Sequence, residues 1–145
     1  MKAKAVRGAV RRTRPRARGE KVGTFKYRVE LGARPEGPFR AVDALVDTGS
    51  LYTWVPRTLF EQLGIEPSGK RAFQMADGRI IERDIAEPVI RIDDQTAHTI
   101  CVFADPNDIV LLGAYALEGF ALAADPVNKR LVPMPTIPAA VAVHE

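Results

Sequence analysis

One acidic residue stands where a carboxylate is costly. Asp47 directly follows the apolar run 44–46 and precedes Thr48, Gly49 and Ser50. A carboxylate at the end of a buried strand must be solvated, hydrogen-bonded or kept for a task, because burying it unpaired is expensive. Gly49 lets backbone approach the carboxylate and present an N–H, and the Ser50 hydroxyl can bond its outer oxygen. Asp47 is therefore a candidate for general acid–base chemistry.

Short strands separated by turns must position this segment. Thr24–Leu31 alternates apolar and charged residues, which predicts a half-buried strand. Asp77-Gly78 between two extended runs is a strong hairpin signal. A short helix is predicted with Thr58 as its cap and Glu61 as the capping-box partner, ended by Gly64.

The remaining segments complete a mostly-β pattern. The predicted strands are Phe39–Val46, Leu51–Val55, Lys70–Met75, Arg79–Ile85, Val89–Ile92, Ala97–Phe103, Ile109–Leu112, Phe120–Ala124 and Lys129–Pro133, and Ala114–Glu118 is predicted as one helical turn. About ten short strands and two small helices predict a β-barrel or sandwich. The sequence has neither an alternating β–α pattern nor a glycine-rich phosphate loop, which argues against nucleotide chemistry.

The order of these motifs resembles the retropepsin-like aspartic proteases, in particular the compact bacterial relatives of the retroviral enzymes. The run ALVDTGSLYTWVP, from Ala44 to Pro56, is similar to the strand, active loop and strand of that family. Val110–Ala114 is similar to its second element, in which two apolar residues and a glycine pass behind the active loop. The Asp77-Gly78 hairpin lies where the family has its flap. The resemblance spans residues 24–133 and includes the closing run LLGAYALEGFALAADPVNKRLVP.

The resemblance implies a closed β-barrel with a flap hairpin and one or two short helices. It implies proteolysis without a cofactor or a metal, on a peptide or protein substrate. The residues implied for catalysis are Asp47, Thr48 and Gly49. The residues implied for substrate binding, in the active loop and the flap, are Ser50, Met75, Ala76, Asp77 and Gly78.

The aspartic protease mechanism uses two carboxylates that share one proton. This chain has one such loop and no second Asp-Thr-Gly or Asp-Ser-Gly, and two-domain relatives need more than twice this length. We therefore hypothesise a symmetric homodimer with Asp47 from each subunit, in which Thr48 of each chain bonds the opposite loop. Retroviral members often place an acidic residue and an arginine, paired near the interface, where this chain has Leu51 and Ala114. The interface must therefore be held differently.

Other chemistry-bearing residues are assigned to structure. Trp54 is expected to pack in the core, and Cys101 is expected to be a buried thiol. His98 alternates to the opposite face of the predicted strand, so it is a poor partner for a cysteine nucleophile. Asp105 and Asp108 fit a turn better than a cation site. One cysteine and two histidines in the chain exclude a cysteine-based zinc cluster and a histidine-rich metal site.

The charge of the chain is uneven. The 145 residues carry 21 basic and 18 acidic side chains, a formal net charge of +3, and eight of the basic residues lie in 1–18. We predict a basic disordered tail over 1–21, a protease domain over 22–135 and a C-terminal tail over 136–145. The basic tail is interpreted as a solvated extension, as the product of a start codon assigned too early, or as an arm that binds RNA or a membrane surface. No apolar run approaches the ~20 residues of a membrane span, and we predict a soluble, cytoplasmic protein without a membrane partner.

Three functions remain open at this point. The first is a dimeric aspartic endopeptidase, and the second is a non-catalytic dimerisation or peptide-binding module with the same fold. The third is an adaptor whose residues 1–18 bind RNA or an acidic partner.

Deletion of residues 1–19 separates the third function from the other two. If the tail is the function, partner binding and its dependence on salt disappear together, because phosphate and carboxylate contacts to arginine are weakened by salt. The measurement is a binding titration of the full chain and the truncated chain at several salt concentrations. Binding that survives truncation contradicts the adaptor hypothesis.

Overall fold

A computed structural model describes residues 24–136 and residue 139 of the chain. The predicted basic tail, residues 1–21, lies outside the described residues, and so does nearly all of the predicted tail 136–145. The strands are β1 (Lys26–Gly32), β2 (Phe39–Val46), β3 (Thr53–Pro56), β4 (Gly69–Gln74), β5 (Ile80–Ala86), β6 (Val89–Ile92), β7 (Gln95–His98), β8 (Cys101–Ala104), β9 (Leu111–Leu112), β10 (Leu122–Asp125) and β11 (Arg130–Pro133). Helix α1 (Arg57–Gln62) follows β3, and helix α2 (Ala114–Gly119) follows β9. Within this described part, no helix has the length and apolar character needed to cross a membrane.

Nine strands form one curled sheet, in the order β4-β5-β8-β3-β9-β2-β1-β6-β7. Strands β4 and β7 each pair with one neighbour, so the predicted barrel takes the form of a half-barrel with two edges. Strands β10 and β11 form a separate antiparallel hairpin. The mostly-β fold class, with a hairpin at the predicted flap and two short helices, is confirmed. The predicted domain bounds of 22 and 135 stay a prediction.

The alternation that predicted the first strand matches its burial. Phe25, Val29 and Leu31 are buried, whereas Lys26 and Arg28 are exposed. Strand β1 pairs with β2 from Lys26 opposite Leu45 to Gly32 opposite Phe39, in one antiparallel register. Because side chains alternate between faces, this register sends one apolar set of β1 into the core.

The sequence predicts one strand over Ala97–Phe103, and this prediction is wrong. Strand β7 ends at His98 and pairs with β6, whereas β8 begins at Cys101 and pairs with β3 and β5. Between them the Thr99 N–H donates to the Pro88 carbonyl at 3.3 Å. The two strands lie in distant parts of the sheet order, so the chain must change partners here. That requirement is tertiary, and the extended apolar character of the segment hides it.

The predicted cap of helix α1 is also wrong. The N-cap residue is Pro56, without a side-chain capping bond, and Thr58 lies inside the first turn. A proline fixes its own φ, here −54°, and so sets the direction in which the chain enters the helix. The predicted end is confirmed, because Gly64 adopts φ +70° and its N–H donates to the Glu61 carbonyl at 3.1 Å.

Both helices are fixed to the sheet by buried apolar side chains. Phe60 of α1 stacks on Phe103 of β8 with ring centroids 3.7 Å apart, and both rings are almost fully buried. Helix α2 buries Ala116 and Leu117 in the same core. Burial of large aromatic side chains contributes strongly to stability, so this stack fixes α1, and with it the end of β3, against β8.

Ion pairs fix the base of the β4–β5 hairpin to the body. Arg57, at the start of α1, donates its Nη1 to Asp84 of β5 at 2.7 Å, and Lys70 of β4 donates to the same carboxylate at 3.0 Å. Arg83 of β5 donates its Nε and Nη2 to Asp108, at 2.7 and 3.0 Å. Hydrogen bonds from Arg57 first, and then from Lys70, hold the pKa of the Asp84 carboxyl below its ordinary value.

The Asp84 contacts predict a pH-dependent stability. Because the pKa in the folded chain is below that in the unfolded chain, the stabilising contribution is present above the ordinary pKa of about 3.9. It is lost as the pH falls through the lower folded-state value. We expect Asp84→Asn to reduce the free energy of unfolding by about 1 kcal/mol at pH 7.

Urea denaturation of both proteins between pH 7 and pH 3 measures this difference. The gap between wild type and variant should narrow below about pH 4, where the wild-type carboxyl also becomes neutral. Glu66→Gln removes an exposed carboxylate and serves as the control, with no expected change at pH 7. A gap that stays constant down to pH 3 contradicts the assignment.

Candidate active site

The Asp47 side chain lies at the end of β2, where the strand leaves the core. Its relative exposure is 9%, and the three preceding residues, 44–46, are buried. The Asp47 N–H donates to the Leu112 carbonyl at 3.0 Å, which extends the parallel pairing of β2 with β9 by one step. The carboxylate is thus placed by a strand and its neighbour rather than by a free loop.

A tight turn follows and supplies a donor to the carboxylate. The Ser50 N–H donates to the Asp47 carbonyl at 3.1 Å, and the Gly49 N–H donates to Asp47 Oδ1 at 2.9 Å. The second bond is the one that the sequence predicts for Gly49. A backbone N–H bonded to a carboxylate is a strong, charge-assisted interaction. It fixes the orientation of one carboxylate oxygen.

The predicted role of the Ser50 hydroxyl is not what the structure shows. The sequence predicts a bond to the outer oxygen of Asp47, but the hydroxyl donates to the Tyr52 carbonyl at 2.9 Å. The turn directs Ser50 forward along the chain, and a backbone acceptor two residues away is within reach. Ser50 therefore shapes the loop. Its predicted part in substrate binding stays a prediction.

Gly113 holds the active loop, residues 47–52, from behind. Its N–H donates to the buried Thr53 Oγ1 at 3.0 Å. A Cβ at Gly113 would lie 2.4 Å from the Tyr52 carbonyl oxygen and 2.9 Å from that of Ser50, closer than real atoms approach. Only glycine allows the backbone of this segment to pass so close to the loop. The predicted second element is therefore placed directly behind the predicted catalytic loop.

The start of helix α2 completes the support of the loop. The Ala114 N–H donates to the Ser50 carbonyl at 2.8 Å, and the Tyr115 N–H donates to the Leu51 carbonyl at 3.0 Å. These are N–H groups that a helix leaves unpaired at its first turn. The loop thus satisfies the helix end while the helix end fixes the loop.

Hydrogen bonds within residues 75–79 shape the turn of the hairpin at the predicted flap. The Met75 N–H donates to the Arg79 carbonyl at 2.7 Å, and Gly78 adopts φ +90°. The Asp77 carboxylate accepts the Arg79 N–H at 3.0 Å and its Nε at 2.8 Å. These bonds from Arg79, the backbone one first, lower the pKa of the exposed Asp77 carboxyl. The structure places Met75, Ala76, Asp77 and Gly78 together at this tip, and their contact with substrate stays a prediction.

An aromatic cluster joins the hairpin to the active loop. It consists of Tyr52, Trp54, Phe73 and Tyr115. The Phe73 ring of β4 lies 5.9 Å from the Tyr52 ring, edge to face, and 5.1 Å from the Trp54 ring. The Tyr115 ring lies 5.7 Å from that of Tyr52. Trp54 is buried as predicted, but sequence reasoning missed the other three as parts of the site. Three aromatic residues near the motifs are only a weak sequence signal for a cluster. The packing of β4 against the loop shows that they contact one another.

Two further groups are now placed. Cys101 is fully buried, and burial raises the pKa of its thiol, so the prediction of a buried structural thiol is confirmed. Such a thiol is a poor nucleophile because the thiolate is the reactive form. Over residues 24–136, no group of three or more His, Cys, Asp and Glu side chains is arranged to hold a metal ion.

A family profile and a solved structure resemble this chain. A sequence profile described as aspartyl protease matches residues 32–116, more than half of the chain. This match includes the active loop, the hairpin and the segment behind the loop. Among solved structures, the chain is similar to the solution structure of Simian Foamy Virus (mac) protease, with a TM-score of 0.47 and 16% identity over 66% of this chain and 94% of that chain. No curated protein matches.

The close approach of Gly113 predicts the effect of a single methyl group. We expect Gly113→Ala to lower the free energy of unfolding by at least about 2 kcal/mol, because the new Cβ would collide with backbone atoms that cannot rotate away. Gly119→Ala is the matched control, since a Cβ there meets nothing within 4 Å. Urea denaturation of the two variants measures both effects. Equal stability of both variants would show that the loop yields and is not held by this contact.

Proposed function

Because this chain belongs to the aspartyl protease family, we propose that it is an aspartic endopeptidase that acts as a homodimer, with Asp47 of each subunit forming the catalytic pair. The observation that carries the proposal is the environment of the Asp47 carboxylate. Its carboxylate is largely buried, oriented by the Gly49 N–H and set in a loop fixed by backbone bonds from two directions. A positioned carboxylate of this kind is suited to proton transfer.

The second carboxylate is proposed to come from another copy of the chain. The sequence holds one Asp-Thr-Gly and no Asp-Ser-Gly. Several other acidic groups serve elsewhere: Asp84 and Asp108 bind arginines, Asp93 accepts the Tyr27 hydroxyl, and Asp125 accepts from Asn128. A two-fold axis beside the active loop supplies the missing group without any further element.

The exposed part of the loop suits such an axis. Thr48 and Gly49 are exposed although Asp47 beside them is largely buried. Contact through these two residues brings the Asp47 side chains of two subunits together. In this arrangement each Thr48 hydroxyl bonds the opposite loop and limits the movement of both carboxylates.

The proposed chemistry follows from two carboxylates at short range. They share one proton, because two like charges so close cannot both be ionised. The ionised carboxylate takes a proton from a water molecule whose oxygen attacks the peptide carbonyl carbon. The protonated carboxyl donates its proton to the carbonyl oxygen. In the second half of the reaction the first carboxyl gives its proton to the nitrogen, the second carboxylate takes a proton from a hydroxyl of the tetrahedral intermediate, and the C–N bond breaks to release the carboxylic acid and the amine.

The β4–β5 hairpin is proposed to act as the flap. It reaches the active loop through the aromatic cluster, and its tip is exposed. An extended peptide between the tip and the loop would be bound through backbone groups of residues 75–78 and shielded from water.

Cleavage of an unfolded protein substrate between about pH 4 and pH 7 tests the catalytic assignment. We expect Asp47→Asn to reduce the rate by about 10²- to 10⁴-fold, the typical contribution of a general acid–base group. Asp94→Asn, at an exposed aspartate in the β6–β7 turn, is the control and should cleave like wild type. Equal activity of wild type and Asp47→Asn contradicts the proposal and favours the non-catalytic binding module.

Mixing of subunits tests the shared site. Wild-type rate should rise faster than linearly with protein concentration, and excess Asp47→Asn protein should suppress it by forming mixed pairs. Suppression requires subunit exchange, so the two proteins are mixed in urea and refolded together. A rate that is linear in concentration and indifferent to the variant shows a complete site in one chain.

A further inference from the structure

Arg71 differs from the other cations of the β4–β5 hairpin. Lys70 is paired with Asp84, Arg79 with Asp77 and Arg83 with Asp108. Among the residues that the structure describes, Arg71 forms no ion pair. Its guanidinium instead donates Nη1 to the hydroxyl of Tyr52. In the described part of the chain, the hairpin therefore carries one cation that is not paired with a carboxylate.

The position of Arg71 joins that charge to the active loop. Its guanidinium carbon lies 5.5 Å from the centre of the Tyr52 ring, within the range of a cation–π contact. Tyr52 is held in turn, because its carbonyl accepts the Ser50 hydroxyl and lies against Gly113. The rings of Phe73 and Tyr115 pack on two further sides of Tyr52. Arg71 thus lies over the Tyr52 ring, at the point where the β4–β5 hairpin meets the active loop.

An arginine so placed has donors left for a ligand. A guanidinium has five N–H groups in a planar fork that matches a carboxylate. The phenol of Tyr52 is a neutral acceptor, so a carboxylate that arrives can take its place at lower electrostatic energy. Arg71 itself is exposed, which leaves it accessible.

We infer that Arg71, supported by Tyr52, is a specificity-determining residue that favours peptide substrates with an acidic side chain near the cleaved bond. The inference rests on the proposed endopeptidase function and adds to it a class of substrate. An extended peptide between hairpin and loop presents alternate side chains to the two sides, so one of them meets the Arg71 flank.

A random dodecapeptide library digested by the wild-type dimer tests the inference. Mass spectrometry of the products should show Asp and Glu enriched about five- to tenfold at one position within a few residues of the cleaved bond. The enrichment should fade as the pH falls towards 4, where these side chains become neutral, and in high salt. Arg71→Gln should abolish it, and Arg71→Glu should replace it with enrichment of Lys and Arg.

Arg28→Gln provides the matched control. Arg28 is exposed on β1, so this variant removes the same charge from the chain but not from the hairpin. It should keep the acidic preference. Absence of any preference in wild type, its persistence in Arg71→Gln, or its equal loss in Arg28→Gln overturns the inference while cleavage itself stands.

Binding of the same library to immobilised Asp47→Asn protein separates the two proposals. Suppose that neither wild type nor any variant cleaves peptides, that Asp47→Asn protein retains acidic peptides, and that the double variant Asp47→Asn with Arg71→Gln does not. The substrate preference then holds and the catalytic proposal fails. If cleavage occurs and neither assay shows a preference dependent on Arg71, the preference fails alone.

Discussion

The two-residue strand β9 lies between β2 and β3, and the geometry of the active loop depends on it. Strand β9 pairs in parallel with β2 and antiparallel with β3, and Gly113 follows it immediately. The strand before Asp47 and the strand after the loop therefore share one neighbour. The carbonyl of Leu112, the last residue of β9, accepts the Asp47 N–H, and the next residue, Gly113, leaves room for the backbone of the loop. A side chain at Gly113 would separate the elements that orient the carboxylate.

The hairpin is attached to this centre by two kinds of interaction with different physical properties. At its base the ion pairs of Arg57 and Arg83 are electrostatic and depend on pH and salt. Nearer the site the ring of Phe73 is held by apolar contacts to Tyr52 and Trp54, which depend on neither. The base and the middle of the hairpin are thus fixed by independent means. Among the contacts of the described residues, those that shape the tip at 75–79 belong to neither set.

Local signals in the sequence were sufficient for much of this fold. Alternation gave the faces of β1, and the dipeptide Asp77-Gly78 gave the hairpin, because both depend on neighbouring residues alone. The Gly49 bond to the Asp47 carboxylate was also foreseeable, since the two residues lie in one turn. One error comes from a distant contact and the other from a local signal next to the predicted cap. The break after His98 follows from a change of sheet partner, and the start of α1 follows from Pro56 at the end of β3 rather than from Thr58.

The aromatic cluster illustrates the same limit at the site itself. Tyr52 lies in the active loop and Phe73 in strand β4, and neither is among the residues predicted for catalysis or substrate binding. Their contact exists because β4 folds back over the loop, which the hairpin signal alone does not reveal. The hydroxyl of Ser50 was misassigned for a related reason, since a nearby carbonyl and a nearby carboxylate compete for one donor and only the turn geometry decides.

The tip of the hairpin is self-contained. Each hydrogen bond described for its turn joins residues within 75–79, and none of these residues belongs to the hydrophobic core of the described part. Within the turn, Gly78 adopts φ +90° and a side chain there would be strained, whereas a change at the exposed Ala76 leaves the core of the half-barrel untouched. Constraints on the exposed side chains of the tip therefore come from what they contact outside the fold rather than from the packing of the half-barrel.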